Sequence, residues 1–470
     1  MMDPEVKRTI KGLFPPEDVT DAPEDLMVYG YDATGEERKP EIAIFPRTPE
    51  QVSAVLKLAN QHRFPVTPRG AGSGFVGAAI PTHYGVEMVM TRMNRILEID
   101  TDNLTAVVEP GLVTEKFQKA VEAQGLFYPP DPASLKMSTL GGNVAMGAGG
   151  PRAVKYGVTR DYVLGLEVVL PTGEIINTGA KTVKSVVGYD LTRLMVGSEG
   201  TLGVITKIRL RLLPKPETAR TMLAIFPTVD SAAKTVSAVI RAKVIPTTLE
   251  FMDKSAVAAV EDYLHAGLPT DAAAILLIET DGTAAAAESD LARIQNICGE
   301  NGAVRIQVAK NEEERETLWK VRRSISPAIL RVRPSKINED VTVPRSRIPD
   351  LMTRLAALSE KIGMPIINFG HAGDGNIHVN VMTDKRDKTE YERAKKAIDD
   401  VFRICLELEG TLSGEHGVGI SKAPYIEQEI GRIGIDLTKR IKTAFDPNNI
   451  LNPGKIVPDE TPLAMTALHG

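Results

Sequence analysis

Cysteine is nearly missing from this 470-residue sequence: there are two, Cys298 and Cys405. Two thiols cannot build a disulfide framework, a four-thiolate zinc site or an iron–sulfur cluster held by this chain alone. Long apolar runs are missing too. No stretch of about 18 apolar residues occurs, so no membrane span is expected. Neither sign of charge dominates: 56 basic residues face 61 acidic ones, a formal charge of −5. That balance argues against a nucleic-acid partner held on a broad basic surface. The opening text, MMDPEVKRTIKGLFPPEDVTDAPED, has no apolar core of signal-peptide length and is too acidic for a transit peptide. The expectation is a soluble cytoplasmic chain, long enough for two to four domains.

What is present is organised in two styles. Residues 1–37 read as a polar lead-in with a short helix. Residues 38–215 begin as compact α/β text, with Ile42–Phe45 and Phe64–Thr67 as strands around a helix opened by Thr48-Pro49. They end on Val204, Thr206, Ile208, Leu210 and Leu212 alternating with basic residues, the period of a half-buried antiparallel strand. Pro214-Lys215-Pro216 marks a boundary. From 216 to 456 the text predicts strands at Thr221–Phe226 and Ala273–Glu279. Helices are predicted near 229–242, 284–301, 311–331, 346–362, 387–409 and 424–445. This is an α+β domain with an antiparallel sheet covered by helices. Residues 457–470 form a tail. The sign-alternating runs at 310–323 and 384–400 read as solvated helix faces.

Glycine carries the first chemical signal. Arg69-Gly70-Ala71-Gly72-Ser73-Gly74 follows a strand and offers main-chain N–H groups to an anion, with Arg69 as a candidate cation beside it. The embedded Gly72-x-Gly74-x-x-Gly77 is not a dinucleotide fingerprint, because Ala78–Gly85 is a poor helix. Alone the loop could be a plain tight turn. Further clusters at Ser138–Asn143, Ala148–Gly150 and Gly197–Gly203 supply the small residues and hydroxyls needed to wrap a long phosphate-bearing cofactor.

Histidine carries the second. Of seven, three lie in His371-Ala-Gly-Asp-Gly-Asn-Ile-His378 and Gly414-Glu415-His416-Gly417. Asp374-Gly375 predicts a two-residue type I′ hairpin, which pairs His371 with His378 on one face, Asn380 following on the same face. Two imidazoles suit one metal, and Glu415 is the natural third ligand. The same residues would also suit a stacked pair and a surface turn. Arg322 and Ser326, four apart in predicted helix, share a face. His62, His83, His265 and His469 read as structural or surface residues.

The motifs PRGAGSG, STLGGNVA, KYGVTRDYVLGLEVVLPTGEI, GSEGTLGVIT, GHAGDGNIHVNV, SGEHGVG and FDPNNILNPGKI together carry a resemblance. Residues 40–215 resemble the FAD-binding domain of the vanillyl-alcohol oxidase/p-cresol methylhydroxylase superfamily, a two-subdomain fold. Residues 217–456 resemble the C-terminal domain of its D-2-hydroxy-acid dehydrogenase branch, which includes D-lactate and D-2-hydroxyglutarate dehydrogenases and the glycolate oxidase flavin subunit. The resemblance implies FAD held by Arg69, Gly70, Ala71, Gly72, Ser73 and Gly74 at the pyrophosphate. Ser138, Thr139, Gly141, Gly142 and Asn143 would lie along the ribityl and isoalloxazine, and Gly149, Glu199, Gly200 and Ile205 would complete the cleft. It implies a divalent metal, commonly zinc, on His371, His378 and Glu415, and His416 as the active-site base in contact with substrate. Arg322, Ser326, Lys336 and Asn380 match further substrate contacts.

Relatives that tether flavin do so through His or Cys in loops where this chain has neither, so the FAD is expected to be non-covalent. The implied reaction is oxidation of a small D-2-hydroxy acid, D-lactate first, with glycolate and D-2-hydroxyglutarate sharing the reacting unit. Electrons would pass to an electron-transferring flavoprotein, a quinone, a cytochrome or an iron–sulfur subunit. Two other readings stand beside it: a redox-neutral alkyl-transferring synthase of the same fold, and a zinc hydrolase or binding protein whose glycine loops are only turns.

Overall fold

The computed structural model describes residues 2–458; the predicted tail from 459 onward, with His469, lies outside the described residues. Its first sheet orders Val19–Thr20, Ile42–Ile44, Val86–Val89 and Val66–Arg69, the last three parallel to one another. Parallel strands need a crossover, and Pro49–His62 supplies one. Its N-cap Thr48 accepts a hydrogen bond from the Gln51 amide, and Val52, Val55, Leu56 and Ala59 are buried against the sheet. The lead-in belongs to this unit. Val6 and Ile10 of helix Pro4–Gly12 share that core, and Val19–Thr20 pairs antiparallel with Ile42–Ile44.

A second sheet is wholly antiparallel, in the order Ile96–Asp100, Thr105–Val108, Val204–Arg211, Val163–Val169, Ile175–Gly179. The alternation read at Val204–Leu212 is therefore a central strand. The cofactor-side text also contains a helix that glycine hides. Leu140–Met146 is capped by the Thr139 hydroxyl, which accepts from the Gly142 amide.

The third sheet has seven antiparallel strands: Arg305–Val308, Thr218–Phe226, Ala274–Gly282, Thr248–Asp253, Ile366–His371, Asn376–Thr383 and Ser335–Thr342. One face packs on helices Val229–Arg241, Ala284–Glu300, Ile348–Ile362 and Lys388–Glu407. The other packs on Lys254–Leu264 and Glu312–Arg323. Among the described residues no helix is long and apolar enough to cross a membrane.

Two local expectations are corrected. The helix predicted across 311–331 ends at Arg323 and restarts as Ile325–Ala328 before a 3₁₀ turn. Pro327 has no N–H to continue the ladder and its ring crowds the carbonyl four residues back. The hairpin is also wider than predicted. His371 pairs with Asn376 and Phe369 with His378, so Ala372–Gly375 forms the loop. A type I′ turn needs positive φ at both central residues, and only Gly375 has it, at 93°. Asp374 instead accepts the Asn376 amide through its own carboxylate.

The chain finally returns to the cofactor unit. Ile441 and Phe445 of helix Ile426–Phe445 pack on the second sheet's core, and Leu451 bridges to Val66.

Candidate active site

Strand parity assembles the site. Asp340 lies opposite His378, Asn338 opposite Asn380 and Lys336 opposite Met382. Phe369 lies opposite both His378 and Met252. Opposed residues share a face and side chains alternate. Glu250, Lys336, Asp340, His371, His378 and Asn380 therefore all project from one face, toward helix Glu312–Arg323. The corrected register makes His371 and His378 diagonal neighbours, and their rings meet edge to face at 5.1 Å.

Glu415 arrives from the turn after Thr411. Its Oε1 lies 3.5 Å from His371 Nε2, 3.6 Å from His378 Nε2 and 3.7 Å from His416 Nε2. These separations exceed a normal hydrogen bond. For His371 and His378 they approach the roughly 3.4 Å between donors set tetrahedrally about 2.1 Å from one ion. His371, His378 and Glu415 thus fit a divalent metal, their ligand atoms falling within 4.8 Å of one another. Burial pulls the His371 pKa down, but the facing Glu250 and Glu415 carboxylates outweigh it and hold the imidazole well above its usual range. Burial, with His371 and His416 nearby, pushes His378 well below its usual range.

Two carboxylates that carry no motif organise these groups. Glu250, fully buried in Thr248–Asp253, takes His371 Nδ1 at 2.7 Å and Arg322 Nε at 2.6 Å. Asp340, also fully buried, accepts the Glu415 and His416 amides at 2.7 and 2.9 Å and pairs with the buried Lys422 ammonium. It lies 3.4 Å from His416 Nδ1. Burial raises both carboxyls, but Arg322 and His371 hold Glu250 below the usual carboxylate range, and His416 and Lys422 do the same for Asp340. An acidic residue inside an apolar run, as in Leu249-Glu250-Phe251-Met252, was the available sequence signal.

Of the predicted substrate residues, Arg322 is nine-tenths buried, stacks at 5.0 Å on Phe369 and gives only Nε to Glu250. Lys336 donates to the Ser326 hydroxyl at 2.7 Å, and burial lowers its ammonium to about 8. Asn380 reaches the same face, but its carboxamide is engaged inside the sheet. It donates to the Ile367 and His378 carbonyls and accepts from Asn338.

The residues predicted to hold the cofactor line one cleft enclosing about 1250 Å³ of atom-free space, the open mouth included. Arg69 to Gly74, Ser138, Thr139, Gly141, Gly142, Asn143, Gly149, Glu199, Gly200 and Ile205 all border it, and so do Glu415 and His416. A side chain on Gly70 would strike the Thr139 hydroxyl; Gly72 sits at φ +67° over the Arg69 guanidinium. The Arg69 guanidinium is engaged by the protein's own carbonyls. It donates to the carbonyls of Tyr29, Tyr31 and Ala79 and stiffens the loop from behind. Glu199 likewise uses its carboxylate on protein, accepting the Val418 and Gly419 amides, and burial raises it to about 7. Phe75 stacks on His416 at 5.2 Å, and Gly149 leaves room for Glu415. A cleft of this volume lined by glycine turns fits a dinucleotide such as FAD.

Comparison with known proteins gives the family. The model for FAD linked oxidases, C-terminal domain, matches residues 215–456, and that for the FAD binding domain matches 40–179. The chain belongs to the FAD-linked oxidase family. This oxidase is 49% identical to the glycolate oxidase subunit GlcD of Bacillus subtilis, over 97% of each chain. It is 36% identical to a D-lactate dehydrogenase of Anaerostipes hadrus, over 92% of this chain and 91% of that one. Its fold matches p-cresol methylhydroxylase with a TM-score of 0.82 at 19% identity, covering 97% and 96% of the two chains. The FAD-linked oxidase is thus a flavoenzyme of the p-cresol methylhydroxylase fold.

Proposed function

We propose that this enzyme oxidises a small D-2-hydroxy acid, D-lactate or glycolate in the first place, to the 2-oxo acid. The observation that carries the reading is the meeting of two sites: Glu415 and His416 border the same cleft as the glycine loops. The relatives' names, glycolate oxidase subunit and D-lactate dehydrogenase, support the substrate class.

FAD, when bound, supplies a hydride acceptor. A divalent ion, zinc being the natural one for two imidazoles and a carboxylate, would supply a Lewis acid for the hydroxyl oxygen. The chain's own residues bind and orient. The Arg322 fork and the Lys336 ammonium suit the substrate carboxylate. The His416 imidazole accepts the hydroxyl proton, a general-base contribution of about 10²–10⁴-fold. Asp340, facing Nδ1, favours the tautomer that turns Nε2 to the substrate. Phe75 and Phe369 exclude water beside these groups.

The FAD is non-covalent on this reading. Among the described residues His416 is the only histidine at the cleft and no cysteine borders it, while Cys298 and Cys405 lie buried in the third-sheet core. Electrons leave to a separate acceptor, an electron-transferring flavoprotein, quinone, cytochrome or iron–sulfur subunit, because these two thiols cannot hold a cluster. Anaerobic addition of D- and L-2-hydroxy acids tests the function. Flavin bleaching by D-lactate or glycolate, and not by L-lactate, is the expected result. No bleaching by any 2-hydroxy acid would overturn it and return the redox-neutral synthase.

A further inference from the structure

We infer that Glu250 is a shared anchor that couples metal binding to substrate binding, a role that rests on the reading of the site given above. The carboxylate sits mid-strand in Thr248–Asp253, with Leu249 and Phe251 beside it, at zero exposure. Its two oxygens are divided between two functional groups. Oε1 faces His371 Nδ1 at 2.7 Å and Oε2 accepts from Arg322 Nε at 2.6 Å.

Each contact has a separate consequence. A carboxylate on Nδ1 holds the proton there and leaves the Nε2 lone pair directed at His378 and Glu415, where an ion would sit. A carboxylate on Nε fixes the guanidinium plane, already backed by the Phe369 ring at 5.0 Å, and leaves the two terminal amino groups for a ligand carboxylate. The hydrogen bond Arg322 makes goes to Glu250, and no hydrogen bond joins it to His371, His378 or Glu415 among the described residues. Glu250 is the atom-by-atom connection between them. Rotation of this one side chain would disturb the ligand and the clamp together, so the site is built to be complete or incomplete as a unit.

The connection depends on a feature only a carboxylate has, two acceptor oxygens. An amide of the same shape has one. In a Glu250→Gln variant the oxygen can serve His371 or Arg322, and the amide nitrogen then points a donor at the other donor. Packing volume is unchanged, so the loss falls on the two contacts.

The test uses the flavin-loaded enzyme stripped of metal by a chelator. Calorimetric titration with Zn²⁺ should show Glu250→Gln weaker than wild type by about 10–100-fold. With Zn²⁺ then saturating, KM for the best 2-hydroxy acid should stay raised about tenfold while kcat moves much less. Unchanged zinc affinity would remove the His371 arm. A KM restored to the wild-type value by saturating zinc would mean that Glu250 acts through the metal alone. Either result overturns the coupling. Flavin content and the melting temperature report folding. Should this variant lose flavin, Arg322→Lys provides the second measurement: it keeps the positive charge but loses the Nε–H that Glu250 accepts, zinc affinity should still shift several-fold, and an unchanged value overturns the proposal. Wild-type enzyme that takes up no zinc would instead sink the metal site itself, a result distinct from a variant that matches a zinc-binding parent.

Discussion

Lys336 shows how one residue's surroundings set its working range. Its ammonium is enclosed with the Ser326 hydroxyl as partner, and loss of hydration lowers it to about 8. Below that pH it is a cation; above it the amine is neutral and attracts no carboxylate. On the proposed reading, kcat/KM should therefore fall above pH 8 toward a lower plateau that Arg322 sustains, with the loss appearing in KM. Lys336→Arg, which keeps its charge, should flatten that limb. An alkaline limb identical in the two proteins would assign it elsewhere. The sequence offered Lys336 only through the family resemblance. Nothing local to Pro334-Ser335-Lys336 tells that the strand Ser335–Thr342 will set it, half-buried, opposite Met382.

Among elements, the loops were more legible than the helices beside them. Arg69–Gly74 is where the glycine pattern placed it, with Gly72 at φ +67° and the Arg69 guanidinium occupying the space a side chain there would need. A valine at this position would meet both the left-handed backbone and that contact. Gly72→Val should purify as folded protein without flavin, measured by absorbance and circular dichroism; a full complement of FAD would remove the loop from the site. The helix Leu140–Met146 escaped because Gly141 and Gly142 are poor helix formers, and what holds it is the Thr139 cap and burial of Leu140 and Val144. Strand Thr248–Asp253 escaped for a different reason. It is buried on both faces, so it lacks the alternation by which half-buried strands announce themselves.

Across the molecule, the cofactor unit is finished by the end of the chain. Leu451 is fully buried against Val66, Asn452 donates to the Ala78 and Glu199 carbonyls, and Lys455 donates to the Ile80 carbonyl. A chain ended after Phe445 should consequently lose flavin and melt well below the full protein, although every glycine loop is intact; normal flavin content would show the unit complete without it. Elements whose chemistry is local could be read along the chain: the glycine turns, the amphipathic helices and the His and Glu motifs. Those follow from the conformational freedom of glycine, from helical periodicity and from residue chemistry, each readable over a few positions. Features that depend on distant strands lying side by side came only with the folded chain. The register that makes His371 and His378 diagonal neighbours, the two buried carboxylates Glu250 and Asp340 beneath the site, and the return of 446–456 to the first sheet all arise from packing across the chain. A carboxylate's partners, unlike a glycine's φ, are set by whatever the fold brings within roughly three ångströms, a hydrogen-bond length.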